Sequence, residues 1–259
     1  MNPRKLSARL ERVAAQVPAG ARLADIGTDH GYLLVALMNR GLISAAVAGE
    51  VALTPLRAVE RSVRANDLGE RIAVRLADGL AAIEPDDCIT AISFCGMGGE
   101  TIRDILARDR ARLGGNELLI LQPNGGEQPL RRWLMDHGYR IRHEELLQEN
   151  RFFYEIIVAE PGEPTSYTDQ ELYFGPLLLQ ACGPVFVAKW QRLLRLKQQT
   201  LAGLARAQRT VADEELEQRD ARVGAELCTP LKHPCTTAPL SGPGECADRL
   251  LLRSAPRHG

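Results

Sequence analysis

The sequence predicts an α/β protein with a mainly parallel sheet flanked by helices, followed by a coiled-coil-like helical extension. Three observations support this fold class. Apolar strand patterns alternate with helix patterns as far as residue 136, which is typical of a parallel sheet with right-handed crossover helices. Five successive predicted strands end in polar or glycine-rich segments, where such sheets bind ligands. From residue 185 to about 222 the chain has no proline and one glycine, and its leucines recur at helical spacing.

Each element of the sheet is predicted from its period of apolar residues and from the Gly and Pro residues between elements. The first is a helix over residues 4–16, with Leu6, Leu10 and Val13 on one face. Strands follow at 21–26, 45–51, 72–76, 89–94 and 118–121, with helices at 31–40, 55–66, 101–108 and 129–136. A last strand pair, 139–145 and 153–159, has no obvious helix between its members, which predicts an antiparallel edge.

Proline and glycine at residues 161–164 end this pattern. We predict a first domain over residues 1–160, a helical extension over 165–223 and a disordered tail over 224–259. In the extension, Thr168 and Glu171 have the spacing of a capping box. The stretch from 184 to about 222 predicts one long helix or a helical hairpin. The tail is predicted to be disordered because it is rich in Pro, Cys, Thr and Ser without periodicity.

Length and composition limit the possible classes of protein. The chain has 259 residues, 45% of them hydrophobic and 25% charged, which suffices for one α/β domain and an appendage. The formal net charge is −1, so a nucleic acid would have to bind to a local basic face. No apolar run approaches the roughly 20 residues of a membrane span, and the cysteines of the tail lack the paired spacing of zinc motifs. We therefore expect a cytoplasmic protein with no membrane contact and no metal.

The most informative segment runs from Leu23 to Leu33, where an apolar strand ends in Asp25 and a glycine turn leads into a helix. Such a turn presents backbone N–H groups and a carboxylate to a nucleoside-like ligand. Asp29 lies where dinucleotide-binding turns have their second glycine, which lets a pyrophosphate approach. A carboxylate there repels phosphate and attracts the cationic groups of S-adenosyl-methionine. The turn therefore favours that cofactor over NAD, and an NAD(P)-dependent oxidoreductase is the less favoured alternative.

Two more acids follow the next two strands. Glu50 ends the second strand, where one carboxylate accepts hydrogen bonds from both ribose hydroxyls. Asp78 follows the third strand and is an acceptor for an adenine amino group. Each acid alone is more often a solvated loop residue. Together, at successive strand ends, they indicate a nucleoside site.

Six motifs occur in order along the chain: Ala24-Asp25-Ile26-Gly27-Thr28-Asp29-His30-Gly31-Tyr32-Leu33, Ala48-Gly49-Glu50-Val51, Gly96-Met97-Gly98-Gly99, Ile120-Leu121-Gln122-Pro123-Asn124, Tyr154-Glu155-Ile156 and Phe174-Gly175-Pro176. In these motifs the chain resembles the bacterial tRNA (adenine-22, N1)-methyltransferases, a class I S-adenosyl-methionine-dependent family. The resemblance extends over roughly residues 4 to 215 and implies a Rossmann-like domain, a coiled-coil-like extension and methyl transfer to adenine N1 in the D-arm region of tRNA.

The resemblance assigns site residues motif by motif. The cofactor-binding residues are Asp25, Gly27, Thr28, Asp29 and His30 in the first turn, Glu50 for the ribose, Asp78 and Gly79 for the adenine, and Gly96, Met97 and Gly98 beside the methyl group. This last segment stands where many amino-directed methyltransferases carry Asn-Pro-Pro-Tyr, so backbone atoms would form the catalytic floor. His30 has an alternative, purely structural role as the cap of its helix.

Methylation of adenine N1 requires little of the side chains. N1 has an in-plane lone pair and attacks the methyl group directly, so alignment supplies most of the acceleration. The predicted catalytic residues are Asp29, Gly96, Met97, Gln122 and Asn124. Asp29 would stabilise the cationic product, and the two amides of Gln122 and Asn124 would read the base edge.

Contact with tRNA needs local positive charge. The candidates are Arg4, Lys5, Arg9 and Arg12 on the first helix, Arg131 and Arg132 after the Asn124 loop, and Lys189, Arg192, Arg195, Lys197, Arg206 and Arg209 on the long helix. A basic helix face would follow the phosphates. In the alternative interpretation these are solvated faces paired with neighbouring acids.

Other functions stay open from the sequence alone. A class I methyltransferase acting on another RNA site and a non-catalytic RNA-binding protein are the two main alternatives, and a monomer is the expected state. The resemblance ends near Gly224, where family members would continue a helical hairpin and this chain has prolines, threonines and cysteines. A disordered extension or a changed reading frame would account for this departure.

Overall fold

The computed structural model describes residues 6–28, 30–163 and 165–206, with the side chains of 204–206 excluded. The predicted site residue Asp29, the basic residues Arg4, Lys5 and Arg209 and the predicted tail lie outside these described residues. The chain divides into two compact units, the first ending at Gly175 and the second beginning at Pro176.

The first unit contains seven strands and six α-helices within the described residues. The strands are β1 (Ala21–Ile26), β2 (Ile43–Glu50), β3 (Ile72–Leu76), β4 (Ala91–Cys95), β5 (Leu118–Gln122), β6 (Tyr139–Glu149) and β7 (Phe152–Pro161). The helices are α1 (Ala8–Ala14), α2 (Tyr32–Asn39), α3 (Leu53–Arg64), α4 (Gly99–Arg108), α5 (Glu127–Asp136) and α6 (Asp169–Phe174).

The strands form one sheet in the order β3-β2-β1-β4-β5-β7-β6. The first five are parallel, and β7 pairs antiparallel with both β5 and β6. The prediction of a Rossmann-like, mainly parallel sheet with an antiparallel strand pair is confirmed. Strand order reverses between β1 and β4, so the carboxyl ends of these strands flank the crevice where doubly wound sheets bind ligands.

The central strands are apolar on both faces because helices cover both. Leu23, Ala24 and Phe94 are completely buried, as are three consecutive residues of β5, and such continuous apolar runs are typical of covered parallel strands. Most predicted elements lie within a few residues of their observed bounds. The β6–β7 hairpin is longer than predicted. The sequence pattern missed the end of β6 because residues 145–149 are largely polar and do not alternate.

Helix α1 rests on the β6–β7 hairpin. Ser7 caps it by accepting a hydrogen bond from Leu10 N–H, and Ala8 N–H donates to Glu149 Oε1 at 2.8 Å. Arg12 forms an ion pair with Glu145 at 2.5 Å. The Arg12 side chain is 52% exposed, so this pair agrees with the alternative interpretation of a solvated basic residue beside an acid, and a phosphate contact of Arg12 stays a prediction.

Arg131 on α5 is not an RNA contact. Its side chain is completely buried and contacts two buried carboxylates, Glu144 at 2.7 Å and Glu155, and it donates to the Leu172 carbonyl oxygen at 3.2 Å. The sequence gives no sign of these partners, which come from β6, β7 and α6. The neighbouring Arg132 is exposed and pairs with Asp169.

Helix α6 begins as predicted. Thr168 accepts from Glu171 N–H and the Glu171 carboxylate accepts from Thr168 N–H, which confirms the capping box. Through the Arg131 contact to Leu172, α6 is tied to the sheet, so the first unit extends beyond residue 160.

The second unit contains α7 (Pro176–Ala181) and α8 (Pro184–Arg206) in its described part. Phe186, Trp190 and Leu194 are buried and recur every four residues along α8. Between Pro184 and Arg206 the sequence has five Lys or Arg residues and no Asp or Glu. No helix among the described residues is long and apolar enough to cross a membrane.

Removal of the buried guanidinium should strongly destabilise the first unit. In Arg131→Ala the carboxylates of Glu144 and Glu155 lose their common cation, and we expect the free energy of unfolding to fall by about 3–5 kcal/mol. Urea denaturation measures it. The control is Arg132→Ala, which breaks only an exposed pair and should cost at most about 1 kcal/mol. Equal losses in the two variants would contradict the buried ion cluster.

Candidate active site

The sequence-predicted site residues meet at the carboxyl edge of the parallel strands. Asp25 of β1 lies opposite Ala48 of β2 and Ser93 of β4, and Cys95 at the end of β4 lies opposite Gln122 at the end of β5. The ends of these four strands are therefore level with one another. The loops that follow them form two groups, one after β1, β2 and β3 and one after β4 and β5.

Asp25 is a buried carboxylate at the start of the first group. It is 4% exposed, its Oδ1 accepts a hydrogen bond from Ser93 Oγ at 2.6 Å, and the buried Thr28 side chain also bonds to it. Burial raises the pKa of Asp25, whereas the hydrogen bonds from Ser93 and Thr28 and the charge of Arg9 oppose this shift. The sequence interpretation missed Ser93, although a single serine within the apolar β4 was a usable signal.

Gly27 allows the turn after β1 to contact the loop after β4. It has φ +70°, and a Cβ atom on it would lie 2.4 Å from Met97 Cε. Its N–H donates to the Gly49 carbonyl oxygen at 2.9 Å. A larger residue at this position would therefore strain the backbone and force the Met97 side chain to move.

His30 does not cap α2, because the N-cap residue is Gly31 with φ +66°. His30 itself is exposed, has φ +64° and stacks on Tyr32, with ring centroids 5.2 Å apart. The alternative prediction of His30 as a helix cap is therefore wrong. Its predicted role in binding a cofactor is not excluded, since it lies on the exposed side of the turn.

Glu50 ends β2 with its carboxylate held in place. Its Oε1 accepts hydrogen bonds from the backbone N–H groups of Val51 at 2.9 Å and Ala52 at 3.0 Å. No group in the described part of the chain donates to the second oxygen, Oε2. The side chain is 8% exposed, so it presents one fixed acceptor oxygen, which suits a pair of hydroxyl groups.

Asp78 and Gly79 form a loop that α4 supports. The Asp78 carboxylate accepts from Arg108 at 2.8 Å, and Leu80 N–H donates to the Asp109 carboxylate at 3.0 Å. Gly79 has φ +58°, and a Cβ atom on it would lie 2.6 Å from both Arg108 and Asp109 side-chain atoms, so a larger residue would be strained and would displace these side chains. The sequence interpretation missed Arg108 and Asp109, which are distant in the chain and carry no motif.

The floor of the site consists of two glycine-rich loops joined through their backbones. Gly99 N–H donates to the Gly125 carbonyl oxygen at 2.7 Å, and Asn124 N–H donates to the Met97 carbonyl oxygen at 2.9 Å. A Cβ atom on Gly99 would lie 2.1 Å from the Gly126 carbonyl oxygen. Gly96 is different, because a Cβ atom there would meet only Arg9 at 3.6 Å and Asn124 at 4.0 Å.

Gln122 is buried and supports Asn124. Its exposed fraction is 0%, and its Nε2 donates to the Pro123 carbonyl oxygen at 2.9 Å and to Asn124 Oδ1 at 3.1 Å. Asn124 is exposed, and its Nδ2 donates to the Gly96 carbonyl oxygen at 2.8 Å. This arrangement corrects the prediction that both amides read a base, because Gln122 has no surface to offer a ligand.

Arg9 completes this half of the site, although it was predicted as a surface contact for RNA. Its guanidinium donates to Gln122 Oε1 and lies over the Tyr154 ring, 5.4 Å from the ring centroid. Both partners come from distant parts of the chain, so no local signal in the sequence could have indicated them. Arg9 therefore points into the site rather than toward solvent.

Three chemical properties follow from the geometry. The first group of loops offers fixed carboxylate oxygens for a ligand with hydroxyl and cationic groups. The second offers a backbone floor and one exposed amide. Within the described residues, no group of three or more His, Cys, Asp or Glu side chains is arranged to hold a metal ion.

The sequence and the fold both match known proteins. The family model described as TrmK, tRNA (adenine(22)-N(1))-methyltransferase, matches residues 23–225. A tRNA (adenine(22)-N(1))-methyltransferase of Bacillus subtilis strain 168 is 36% identical over 220 residues, which are 83% of this chain and 92% of that protein.

Two solved structures have the same fold. The crystal structure of the B. subtilis m1A22 tRNA methyltransferase TrmK is 34% identical, has a TM-score of 0.79 and is aligned over 86% of this chain and 97% of its own. A Streptococcus pneumoniae relative crystallised in complex with S-adenosyl-L-methionine is 44% identical, with a TM-score of 0.74 over 76% of this chain and 91% of its own.

The contact between the two glycine-rich loops can be tested with a pair of adjacent substitutions. In Gly99→Ala the new methyl group would collide with the Gly126 backbone, and we expect a loss of about 1–3 kcal/mol in the free energy of unfolding. Gly98 has φ −64° and ψ 144°, and its Cβ atom would lie 3.7 Å from Thr101 Oγ1. Gly98 is the N-cap of α4, where Ala is less favourable than Gly, but its methyl group would meet no backbone atom, so Gly98→Ala should change the free energy of unfolding by less than about 1 kcal/mol. Urea denaturation that shows the same effect for both would contradict the close backbone contact.

The buried charge of Asp25 should make stability depend on pH. Because its pKa is raised in the folded protein, the folded state keeps a proton that the unfolded chain has released, so stability falls as pH rises between the two pKa values. Asp25→Asn keeps an acceptor for Ser93 without the charge. We expect the free energy of unfolding of this variant to rise relative to that of the wild type as the pH is raised from 4 to 7. Urea denaturation at several pH values measures this difference.

The matched control for this experiment is Asp104→Asn, which removes the same charge from an exposed site on α4. A gain of similar size in both variants would show that the pH trend comes from net charge and not from the burial of Asp25.

Proposed function

Since this chain belongs to the tRNA (adenine(22)-N(1))-methyltransferase family, we propose that it transfers the methyl group of S-adenosyl-methionine to N1 of adenine 22 in tRNA. The observation that carries the proposal is the junction of the two groups of loops. Met97 lies over Gly27 on one side, and its carbonyl oxygen accepts from Asn124 on the other. A cofactor site and a base site are thus separated by a few backbone atoms.

The first group of loops fits the cofactor. Glu50 Oε2, to which no described group donates, suits the ribose hydroxyls, and Asp78 with the Gly79 backbone suits the adenine. Asp25 places a carboxyl group under the turn where the cationic amino acid part would bind, and its ionised form attracts that cation. Gly27, Thr28, Asp29, His30 and Gly98 are proposed to line the same site. When bound, S-adenosyl-methionine supplies an electrophilic methyl group, which the N1 lone pair of adenine accepts without loss of a proton.

The second group of loops fits the base. An amide has two N–H hydrogens and four acceptor and donor positions in total, and Asn124 uses one N–H on Gly96 and one acceptor position on Gln122. The remaining N–H and lone pair face an adenine edge. Gln122 and Arg9 act as positioning residues that fix the orientation of this amide. Gly96 and Met97 provide the floor against which the base is aligned.

Helix α8 supports the choice of tRNA as the partner. Its described part, Pro184–Arg206, carries basic residues and no Asp or Glu, and Arg192 and Arg195 are exposed. A basic face of this kind neutralises phosphates. We assign the cytoplasm as the location, because tRNA is modified there, and a monomer without a metal ion, because attack by a neutral ring nitrogen requires neither a second subunit nor a Lewis acid.

The experiment that tests the proposal is to map the methyl group. Incubation of the protein with unmodified tRNA and labelled S-adenosyl-methionine should place one methyl group on N1 of adenine 22, detected by mass spectrometry of digested RNA and by a reverse-transcription stop. A transcript with guanine at position 22 is the control and should stay unmethylated. Methylation of guanine, of cytosine or of another adenine would refute the assignment.

A further inference from the structure

The β6–β7 hairpin extends past the acceptor half of the site. Strand β7 runs antiparallel to β5, with Leu121 opposite Ile157. Residues of β7 that precede Ile157 therefore lie beyond the carboxyl end of β5, beside the loop that contains Asn124. The start of β7 and the turn before it are consequently on the same edge of the sheet as the proposed base site.

Two aromatic side chains share one face of this hairpin. Side chains alternate along a strand, so Phe152 and Tyr154 point to one face while Glu155 points to the other, where it meets Arg131. The two rings are 6.4 Å apart between centroids. Phe152 is 52% exposed, which is a large exposed apolar surface at a position that the core does not require.

An arginine guanidinium group lies over each of the two rings. The Arg151 guanidinium lies 5.2 Å from the Phe152 ring centroid, and the Arg9 guanidinium lies 5.4 Å from that of Tyr154. The nearby acid Glu149 accepts a hydrogen bond from Ala8 N–H, so its carboxylate is directed to α1. We define Arg9, Tyr154, Phe152 and Arg151 as the aromatic–arginine ladder.

The ladder is continuous with the proposed base site, because Arg9 also donates to Gln122, which in turn holds Asn124. The two guanidinium groups of the ladder are positively charged and its two aromatic rings are flat. Proteins bind single-stranded RNA with this combination, because bases stack on the rings and phosphates are attracted to the cations. An exposed apolar surface without cations would fit a protein partner equally well, but guanidinium groups beside both rings favour RNA.

We infer that the aromatic–arginine ladder binds unpaired bases of the tRNA substrate around the methylated adenine. This inference rests on the proposed function. N1 lies on the Watson–Crick edge of adenine, so the target base has to be unpaired and out of its stack before methyl transfer. A surface that stacks the released bases stabilises that open form of the RNA. Phe152 is the element of the ladder that solvent reaches most freely.

The test measures tRNA affinity of full-length variants as a function of salt. Phe152→Ala should weaken binding of unmodified tRNA about tenfold, because one base loses its stacking partner. Phe152→Leu should bind tRNA as weakly as Phe152→Ala, because leucine keeps an apolar surface but has no flat ring. Phe152→Tyr should bind as the wild type does. The salt slope should not change in these variants. Arg151→Ala should lower the slope by about one, because one phosphate contact is lost.

The control is Leu42→Ala, which removes a partly exposed apolar side chain, 38% accessible. Leu42 lies just before β2, at the amino ends of the parallel strands and so away from the proposed base site. The variant should bind tRNA as the wild type does. Affinity for S-adenosyl-methionine, measured by calorimetry, should be unchanged in all of these variants. Urea denaturation checks that Phe152→Ala is folded.

Three results would overturn the inference. Wild-type affinity in Phe152→Ala would show that no base stacks there, and wild-type affinity in Phe152→Leu would show an apolar contact without stacking. Sedimentation of the wild type as a dimer that Phe152→Ala dissociates would assign the surface to a second copy of the chain. Failure of the proposed function is distinguishable, because in that case the wild-type protein itself would not methylate adenine 22.

Discussion

Backbone hydrogen bonds between two glycine-rich loops determine the shape of the site. The bond from Gly99 to Gly125 is possible only because Gly99 has no side chain. It brings the loop after β4 against the loop after β5. The Met97 side chain, which belongs to the loop after β4, also contacts Gly27 in the turn after β1. The cofactor and base halves are therefore parts of one connected floor, in which a shift of one loop would displace the other two.

Much of this arrangement could be predicted because its signals are local. A strand pattern followed by an acid or a glycine cluster identifies a strand end, and parallel topology brings such ends together. Asp25, Glu50, Asp78 and the Gly96 loop were located in this way.

The parts that could not be predicted are ion pairs and hydrogen bonds between distant residues. The sequence shows that Arg9 and Arg131 are charged, but not that each turns to partners on other elements. Basic residues on a predicted helix are usually solvated, and this expectation was wrong for Arg131, which is completely buried, and for Arg9, which is partly buried. The burial of Gln122 was missed for the same reason. The sequence around an amide at the end of an apolar strand does not show whether the amide supports a neighbouring side chain or contacts a ligand.

Helix α1 gives the two halves of the site different folding requirements. The proposed cofactor residues come from 25–98, whereas the proposed base half includes contacts of Arg9 with Gln122 and Tyr154, which are more than a hundred residues away in the chain. Contacts of long sequence separation close large loops and form late. Helix α1 can therefore make these contacts only after Tyr154 has been synthesised, and we expect the base half of the proposed site to form after the cofactor half.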